Sequence, residues 1–331
     1  KCSNARMFDC SIAGAGDVRI AESDENVAVE CGGTKAVFCR KSGTLCELVM
    51  DGKTVLRDPA PGVVTGPQLT CMRAFTDNDR WMRDGNPWGE NRKVGGVYSR
   101  GLTQLSYHAR PILVKKSEDG SAVLVITVEV TGGKSASFTH VAEWKICSNG
   151  MLSVKNSVTP HGTMPPAIAR MGLSMKLDRS LEHIKYYGRG PRENYIDRCT
   201  ASFLGVWTST VAEQFEPYVR PQVNGGKCGV RWVEFTDTEG RGVRFSASEP
   251  LFMTALHYTW EDLELSRHRA GQKRFRAPLV PREEVCLDLD VRQTGLLGAS
   301  CGPGPLAKYR FDPNVPVTWT IDIRPVLKSN S

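Results

Sequence analysis

No apolar run in the chain approaches the ~18–20 residues that a transmembrane helix needs, which argues against an integral membrane protein. No five basic residues stand together and no basic helix is interleaved with aromatics, although Lys and Arg outnumber Asp and Glu by 43 to 36 in 331 residues. Proteins that read nucleic acid gather positive charge on one face, so this dispersed net charge of +7 predicts neither a nucleic-acid nor a membrane partner. Zinc-ligand spacing is missing: there is no Cys-x-x-Cys pair, and none of the six histidines stands at ligand distance from a cysteine. Gly-x-Ser-x-Gly, a Walker loop, a dinucleotide fingerprint and His-Glu-x-x-His are all absent, and no metal or cofactor is expected. An Asn-x-Ser/Thr acceptor is also lacking. The chain does not begin with Met or with a charged start followed by an apolar run, which predicts a processed end or an artificial boundary. The compartment stays open between cytoplasm and periplasm.

What is present is an ordinary globular composition, 40% hydrophobic and 24% charged, with enough length to bury a substantial core. The 11 cysteines are an odd number and too sparse for a disulfide scaffold. They read as mostly free thiols, several of them small buried hydrophobes inside strands, as at Cys39 and Cys286. The dominant period is two. Val317, Trp319, Ile321 and Ile323 alternate with Thr318, Thr320, Asp322 and Arg324, and Val285, Leu287, Leu289 and Val291 with Cys286, Asp288, Asp290 and Arg292. In both, the first set is expected inward and the second toward water. Val123 to Val130 is nearly continuous β-branched sequence, as in a strand covered on both faces. Asn149-Gly150, Thr238-Glu239-Gly240, Asp51-Gly52 and Ser42-Gly43 carry the turn chemistry of tight hairpins. Helix signals are few: Thr259-Trp260-Glu261-Asp262 reads as a capping box starting a short helix to about Arg267, and Thr210 to Phe215 as a turn or two. Residues 1–16 are polar and Gly-rich and read as a tail or an upstream connection. Residues 17–328 read as one all-β antiparallel unit, most simply a two-sheet sandwich.

Two polar clusters stand out. Asp77-Asn78-Asp79, between Arg73 and Trp81, offers acids, an amide, a base and an indole, which suits a sugar's hydroxyls and its C–H face. The same residues also suit a loop whose Asx side chains bond their own backbone, and that reading is favoured. In Gly188-Arg189-Gly190-Pro191-Arg192-Glu193-Asn194-Tyr195-Ile196-Asp197-Arg198 a Gly/Pro turn is followed by an aromatic and four charges. Such a cluster can hold a ligand, but an ion-pair and hydrogen-bond network pinning two sheets is favoured. The histidines are isolated.

Tyr186 to Arg198 resembles a hallmark of the C-terminal small-chain domain of bacterial β-galactosidases of glycoside hydrolase family 2. Four further segments are similar to that family in the right order. They are Arg73-Ala74-Phe75-Thr76-Asp77-Asn78-Asp79, Pro217-Tyr218-Val219-Arg220-Pro221-Gln222-Val223-Asn224-Gly225, His257-Tyr258-Thr259 with Asp262-Leu263, and Arg292-Gln293-Thr294-Gly295-Leu296. The resemblance as a whole covers roughly residues 17 to 327. The resemblance implies a large antiparallel β-supersandwich of the galactose-mutarotase-like kind, acting within an enzyme that hydrolyses terminal β-D-galactosides. It also implies that the two catalytic glutamates of the retaining mechanism lie in a preceding barrel domain absent from this chain. Glu193 belongs to the turn motif and is not one of them. The implied partners are the barrel-bearing large portion and a galactoside, within an oligomer, and this chain alone is expected to be inactive. The implied contribution to the substrate-pocket rim comes from Asp77, Asn78, Asp79, Arg80 and Trp81 at the start of a mobile loop reaching about Trp88, and from Ser300 and Cys301. Cys301 stands where family members often carry an aromatic platform, so the platform would pass to Trp81 or Trp88. Two rivals are a free-standing mutarotase, for which His257 with Glu261 or Glu264 is the nearest acid–base pairing, and a carbohydrate-binding module.

Overall fold

The computed structural model describes residues 17–84, 95–266, 278–296 and 304–328. Its first unit is a five-stranded antiparallel meander: β1 (Arg19–Glu22), β2 (Asn26–Cys31), β3 (Thr34–Cys39), β4 (Thr44–Met50) and β5 (Lys53–Arg57), paired in chain order. Thirteen further strands form one large sheet. They are β6 (Gln68–Thr70), β7 (Ser106–Ala109), β8 (Leu113–Lys116), β9 (Ala122–Thr131), β10 (Ala136–Ile146), β11 (Leu152–Gly162), β12 (Arg170–Leu177), β13 (His183–Gly190), β14 (Phe203–Thr210), β15 (Lys227–Thr236), β16 (Gly242–Leu256), β17 (Val285–Gln293) and β18 (Val317–Val326). The main path runs β14-β13-β15-β16-β18-β11-β10-β9-β7. It forks at β16, whose first half pairs with β18 and whose last five residues pair with β17, which leads on through β12 to β6. Every pairing is antiparallel, and the predicted all-β antiparallel supersandwich is the architecture observed.

The small sheet lies on the large one. Phe38 meets Trp144 edge-on at 5.3 Å between ring centroids, the Thr34 hydroxyl donates to the Gly150 carbonyl at 2.7 Å, and Lys53 pairs with Asp237 at 2.9 Å. The four predicted turns are in place, and each needs positive φ: Gly150 (+81°) between β10 and β11, Gly240 (+75°) between β15 and β16, Asp51 and Gly52 (+48° and +76°) between β4 and β5, and Gly43 (+64°) between β3 and β4. The capping box is also present: the Thr259 hydroxyl accepts from the Asp262 N–H at 3.3 Å and Asp262 accepts from the Thr259 N–H at 2.9 Å. It opens α2 (Trp260–Leu265), and the run near Thr210 is a single 3₁₀ turn over Ala212–Gln214.

Three expectations need correction. β18 alternates as predicted, but on β17 the alternate residues do not all face water: Asp290 is buried and Asp288 mostly so, because other elements cover that face. In β9 the reverse holds: Ala122, Leu124, Ile126, Val128 and Val130 are buried while the other face is only half covered. Of the two cysteines expected to be buried, Cys286 is and Cys39 is half-exposed. Cys31, Cys39, Cys46, Cys71, Cys199, Cys228 and Cys286 are free thiols, whereas Cys147 is disulfide-bonded.

Candidate functional site

The Arg73–Asp79 segment follows β6 and ends in a 3₁₀ turn over Asp77–Asp79 that leads directly into a one-turn helix, α1 (Arg80–Asp84). Arg73 has no exposed surface. Its guanidinium holds Asp79 through two bonds, Nη2 to Oδ1 at 2.7 Å and Nε to Oδ2 at 3.3 Å, and donates to the carbonyls of Thr294 (2.5 Å) and Gly295 (3.2 Å). The fixed fork of arginine suits such a bidentate acceptor. Asp79 further accepts from the N–H and hydroxyl of Thr76, so the loop closes on itself while Arg73 ties it to the strand end after β17.

Other residues of the loop reach outward to three more of the resembling segments, one of them by packing of Ala74 with Leu263. Asp77 pairs with Arg220, and the Asn78 amide donates to the Leu296 carbonyl at 2.9 Å. Val223 N–H bonds the Ala74 carbonyl at 3.1 Å, and Phe75 N–H donates to Glu264, one turn into α2, at 3.1 Å. Asp197 completes the ring by accepting from Leu296 N–H at 3.1 Å. All five segments therefore meet around one loop, although they are separated by up to 222 positions.

The Gly188–Arg198 segment is an ion-pair and hydrogen-bond network as expected, but it ties the turn after β13 to the start of β15 within the large sheet and does not pin two sheets. Gly188 to Gly190 close β13, and the turn starts at Pro191 after a cis peptide bond. Glu193 accepts from Arg198 (2.5 Å), from the Gly225 N–H (3.0 Å), from the Tyr195 hydroxyl (3.4 Å) and from the Tyr218 hydroxyl. Asn194, fully buried, uses its whole amide: Nδ2 donates to the carbonyls of Arg189 and Arg192, and Oδ1 accepts from Cys228 N–H at 2.9 Å. Burial holds the Tyr195 hydroxyl far above its ordinary range and pushes the Cys228 thiol up to about 12, so neither is ionised near neutrality. Burial also lowers Lys227 to about 8, its ammonium donating to the Gly225 carbonyl at 2.9 Å. Arg189, Glu193, Asp197 and Arg198 are thus committed to structure, while Arg192 is exposed.

Of the predicted rim residues, Asp77 and Asn78 lie at the surface of the loop. Asp79 does not: at 1% exposure it is an internal anchor. Trp81 is 8% exposed, with the Arg310 guanidinium 5.4 Å from its ring centroid and Gly304 packed close to its face, so this indole is not free as a platform for a sugar. Arg80 begins α1. Ser300, Cys301 and Trp88 lie outside the described residues. The mutarotase pairing is not assembled: His257 places Nε2 3.0 Å from Glu182 and Nδ1 3.1 Å from the Glu284 carbonyl, while Glu264 is held by Phe75 N–H. No group of three or more His, Cys, Asp or Glu suited to a metal ion occurs among the described residues. Nor is any described helix long and apolar enough to cross a membrane.

Residues 30–323 match the family model of the β-galactosidase small chain, and the chain belongs to that family. A β-galactosidase of Priestia megaterium is 32% identical over 249 residues, covering 75% of this chain and 22% of its own length. One from Actinobacillus pleuropneumoniae is 26% identical over 273 residues, 82% of this chain and 24% of the relative. This chain thus spans about a quarter of the length of these relatives. Among solved structures, a galactose mutarotase related enzyme from Lactobacillus acidophilus aligns with a TM-score of 0.49 and 8% identity, over 92% of this chain and 99% of that one.

Proposed function

We propose that this chain is the small-chain region, residues 17–328, of a retaining β-galactosidase whose acid and nucleophile glutamates lie in a barrel domain outside this sequence. In that enzyme it forms one wall of the substrate pocket and supports assembly, and terminal β-D-galactosides are the substrates. The rim role falls to Asp77 and Asn78, followed by Arg80, Ser300 and Cys301. Asp79 and Trp81 act from behind, holding the loop in place. The observation that carries this reading is the convergence of all five family segments on the Arg73–Asp79 loop. A loop anchored by a buried, doubly bonded arginine is pre-organised to present its outer residues to a neighbouring surface at little entropic cost.

Mixing provides the test. The chain alone should not hydrolyse a chromogenic β-galactoside. A barrel-bearing fragment of a family member lacking this region should gain activity when the chain is added. In the reconstituted enzyme Asp77→Ala should raise KM with kcat nearly unchanged, since the residue touches pocket shape and not the reacting bond. Turnover by the purified chain alone, or no gain on mixing with fragments that bind it, would sink the proposal.

A further inference from the structure

Four neighbouring strands carry a polar row that the loop described above does not use. The registers set Gln68 (β6) opposite Ser174 (β12), Ser174 opposite Asp288 (β17), and Asp288 opposite Thr254 (β16). Directly opposed residues share a face, so these four line one side of the layer, with Lys176 and Cys286 paired in the adjoining row. The other side is apolar: Leu69, Leu173, Leu289 and Met253 are opposed in the same way and buried in the core. An outer sheet face normally meets bulk water. Here the start of α2, with Trp260 and Glu261, and the Tyr107 ring from β7 stand over it and enclose a cleft of about 300 Å³. That volume falls at the lower end of the roughly 300–1,000 Å³ usual for small-molecule sites.

The chemistry of the cleft narrows what it suits. Two of its charges are already spent: Arg282 is doubly bonded to Asp262 at 2.6 and 2.8 Å, and Asp288 is paired with Arg170 at 2.7 Å. Lys176 and Glu261 remain, one of each sign, and neither forms an ion pair among the described residues. The balance favours a neutral ligand over an anion. Around it converge an amide, a hydroxyl, an ammonium and a carboxylate, with an indole and a phenol beside them. The Tyr107 hydroxyl is itself tied to the Leu69 carbonyl at 2.9 Å, which fixes the ring. At the end of the polar row the Thr254 hydroxyl, on a residue 5% exposed, has no hydrogen-bond partner and borders a smaller recess shared with Asp288 and Trp260. A buried hydroxyl left open in this way is destabilising unless water or a ligand meets it.

We propose that this cleft binds one neutral pyranose, either free or as the terminal residue of a glycan. Hydroxyls on a saturated ring match the mixture of donors and acceptors, and the ring's C–H surface matches Trp260 or Tyr107. The residues named as lining it all belong to this chain, and the proposal goes beyond the role of the domain in hydrolysis.

The test titrates the 331-residue chain with methyl β-D-galactopyranoside, methyl β-D-glucopyranoside and lactose, read by calorimetry and tryptophan emission, with D-glucuronate as an anionic control. At least one neutral sugar should bind saturably in the millimolar range and shift the emission, while glucuronate does not. Lactose binding more tightly than either methyl glycoside would mark the terminal residue of a glycan as the ligand. Gln68→Leu and Lys176→Met, both at the solvent side of the layer, should each weaken binding roughly tenfold with an unchanged melting temperature. Lys145→Ala, at an exposed ion pair with Asp119 that does not line the cleft, should leave affinity as it was. The proposal is overturned if none of the three sugars saturates a cooperatively melting chain, or if affinity survives both cleft variants. Complementation of a barrel fragment can succeed or fail independently of either result.

Discussion

Asp77 and Asp79 stand two positions apart in one loop, each paired with an arginine, yet their removal should have very different consequences. Asp79→Ala strips the Arg73 guanidinium of both carboxylate bonds while leaving it wholly buried, with only the Thr294 and Gly295 carbonyls as acceptors. Breaking a buried pair from one side costs about 3–5 kcal/mol, because the remaining charge is stranded away from water. The Asp77–Arg220 pair is 55% and 32% exposed at its side chains. A pair of that kind contributes about 0–1 kcal/mol. Urea unfolding of the two single variants should therefore separate their midpoints clearly, with Asp79→Ala losing most. Replacing both buried partners, Arg73→Met with Asp79→Leu, should recover part of the loss, since no lone charge remains. Recovery stays partial because the Thr294 and Gly295 carbonyls lose their donor. Equal costs for Asp77→Ala and Asp79→Ala would refute the assignment of Arg73–Asp79 as the internal anchor.

Two titrations should act in opposite directions on stability. Burial lowers His140 to about 4, so its neutral form is favoured in the fold and stability should drop as pH falls from 6.5 toward 4. The effect is of the order of 3 kcal/mol and should vanish in His140→Gln, as read from unfolding midpoints at several pH values. Burial beside Asp288 raises Asp290 to about 7, opposed by Arg170 and Arg73, so its protonated form is favoured and its stabilisation should fade as pH rises from about 4 to about 7. Asp290→Asn should flatten that part of the profile. Gly172→Ala would set a methyl group 2.3 Å from the Leu289 carbonyl oxygen and 2.5 Å from the Asp290 Cα. Overpacking of backbone on backbone there should cost about 1–3 kcal/mol, visible as a lower melting temperature.

Much of this fold is written locally. Hairpins such as β10–β11 combine alternating hydrophobics with Asn149-Gly150, and both signals sit within a few residues of each other. The α2 capping box is local in the same way. α1 escaped notice because a single turn has no room for helical periodicity, and its position is fixed by the Asp79 anchor before it. The β17 alternation correctly predicted that Asp288 and Asp290 share a face, but a strand's own sequence does not say what lies over that face. In the candidate site, the resemblance picked out the loop, while the partners that hold it did not show. Arg73 and Asp79 are six positions apart and Asp77 and Arg220 are 143, and the longer pairing leaves no trace in spacing. Trp81 looked like a surface platform because an indole after a run of polar residues carries no sign of the Arg310 and Gly304 that cover it.

The position of β18 bears on how the molecule is made. Residues 317–326 are the last strand described, yet they lie inside the large sheet, hydrogen-bonded to β11 along one side and to β16 along the other. Until they leave the ribosome, the strands β7 to β11 and the strands around β16 have no direct ladder between them. The nascent sheet therefore waits as two separate halves, each with an open edge, and Trp319 and Ile321 arrive after both to fill the seam. Closure of that seam depends on contacts far apart in sequence and should be the slow step of folding. A nonsense mutation near residue 316 would accordingly release two sticky half-sheets, where loss of any edge strand would leave the centre joined.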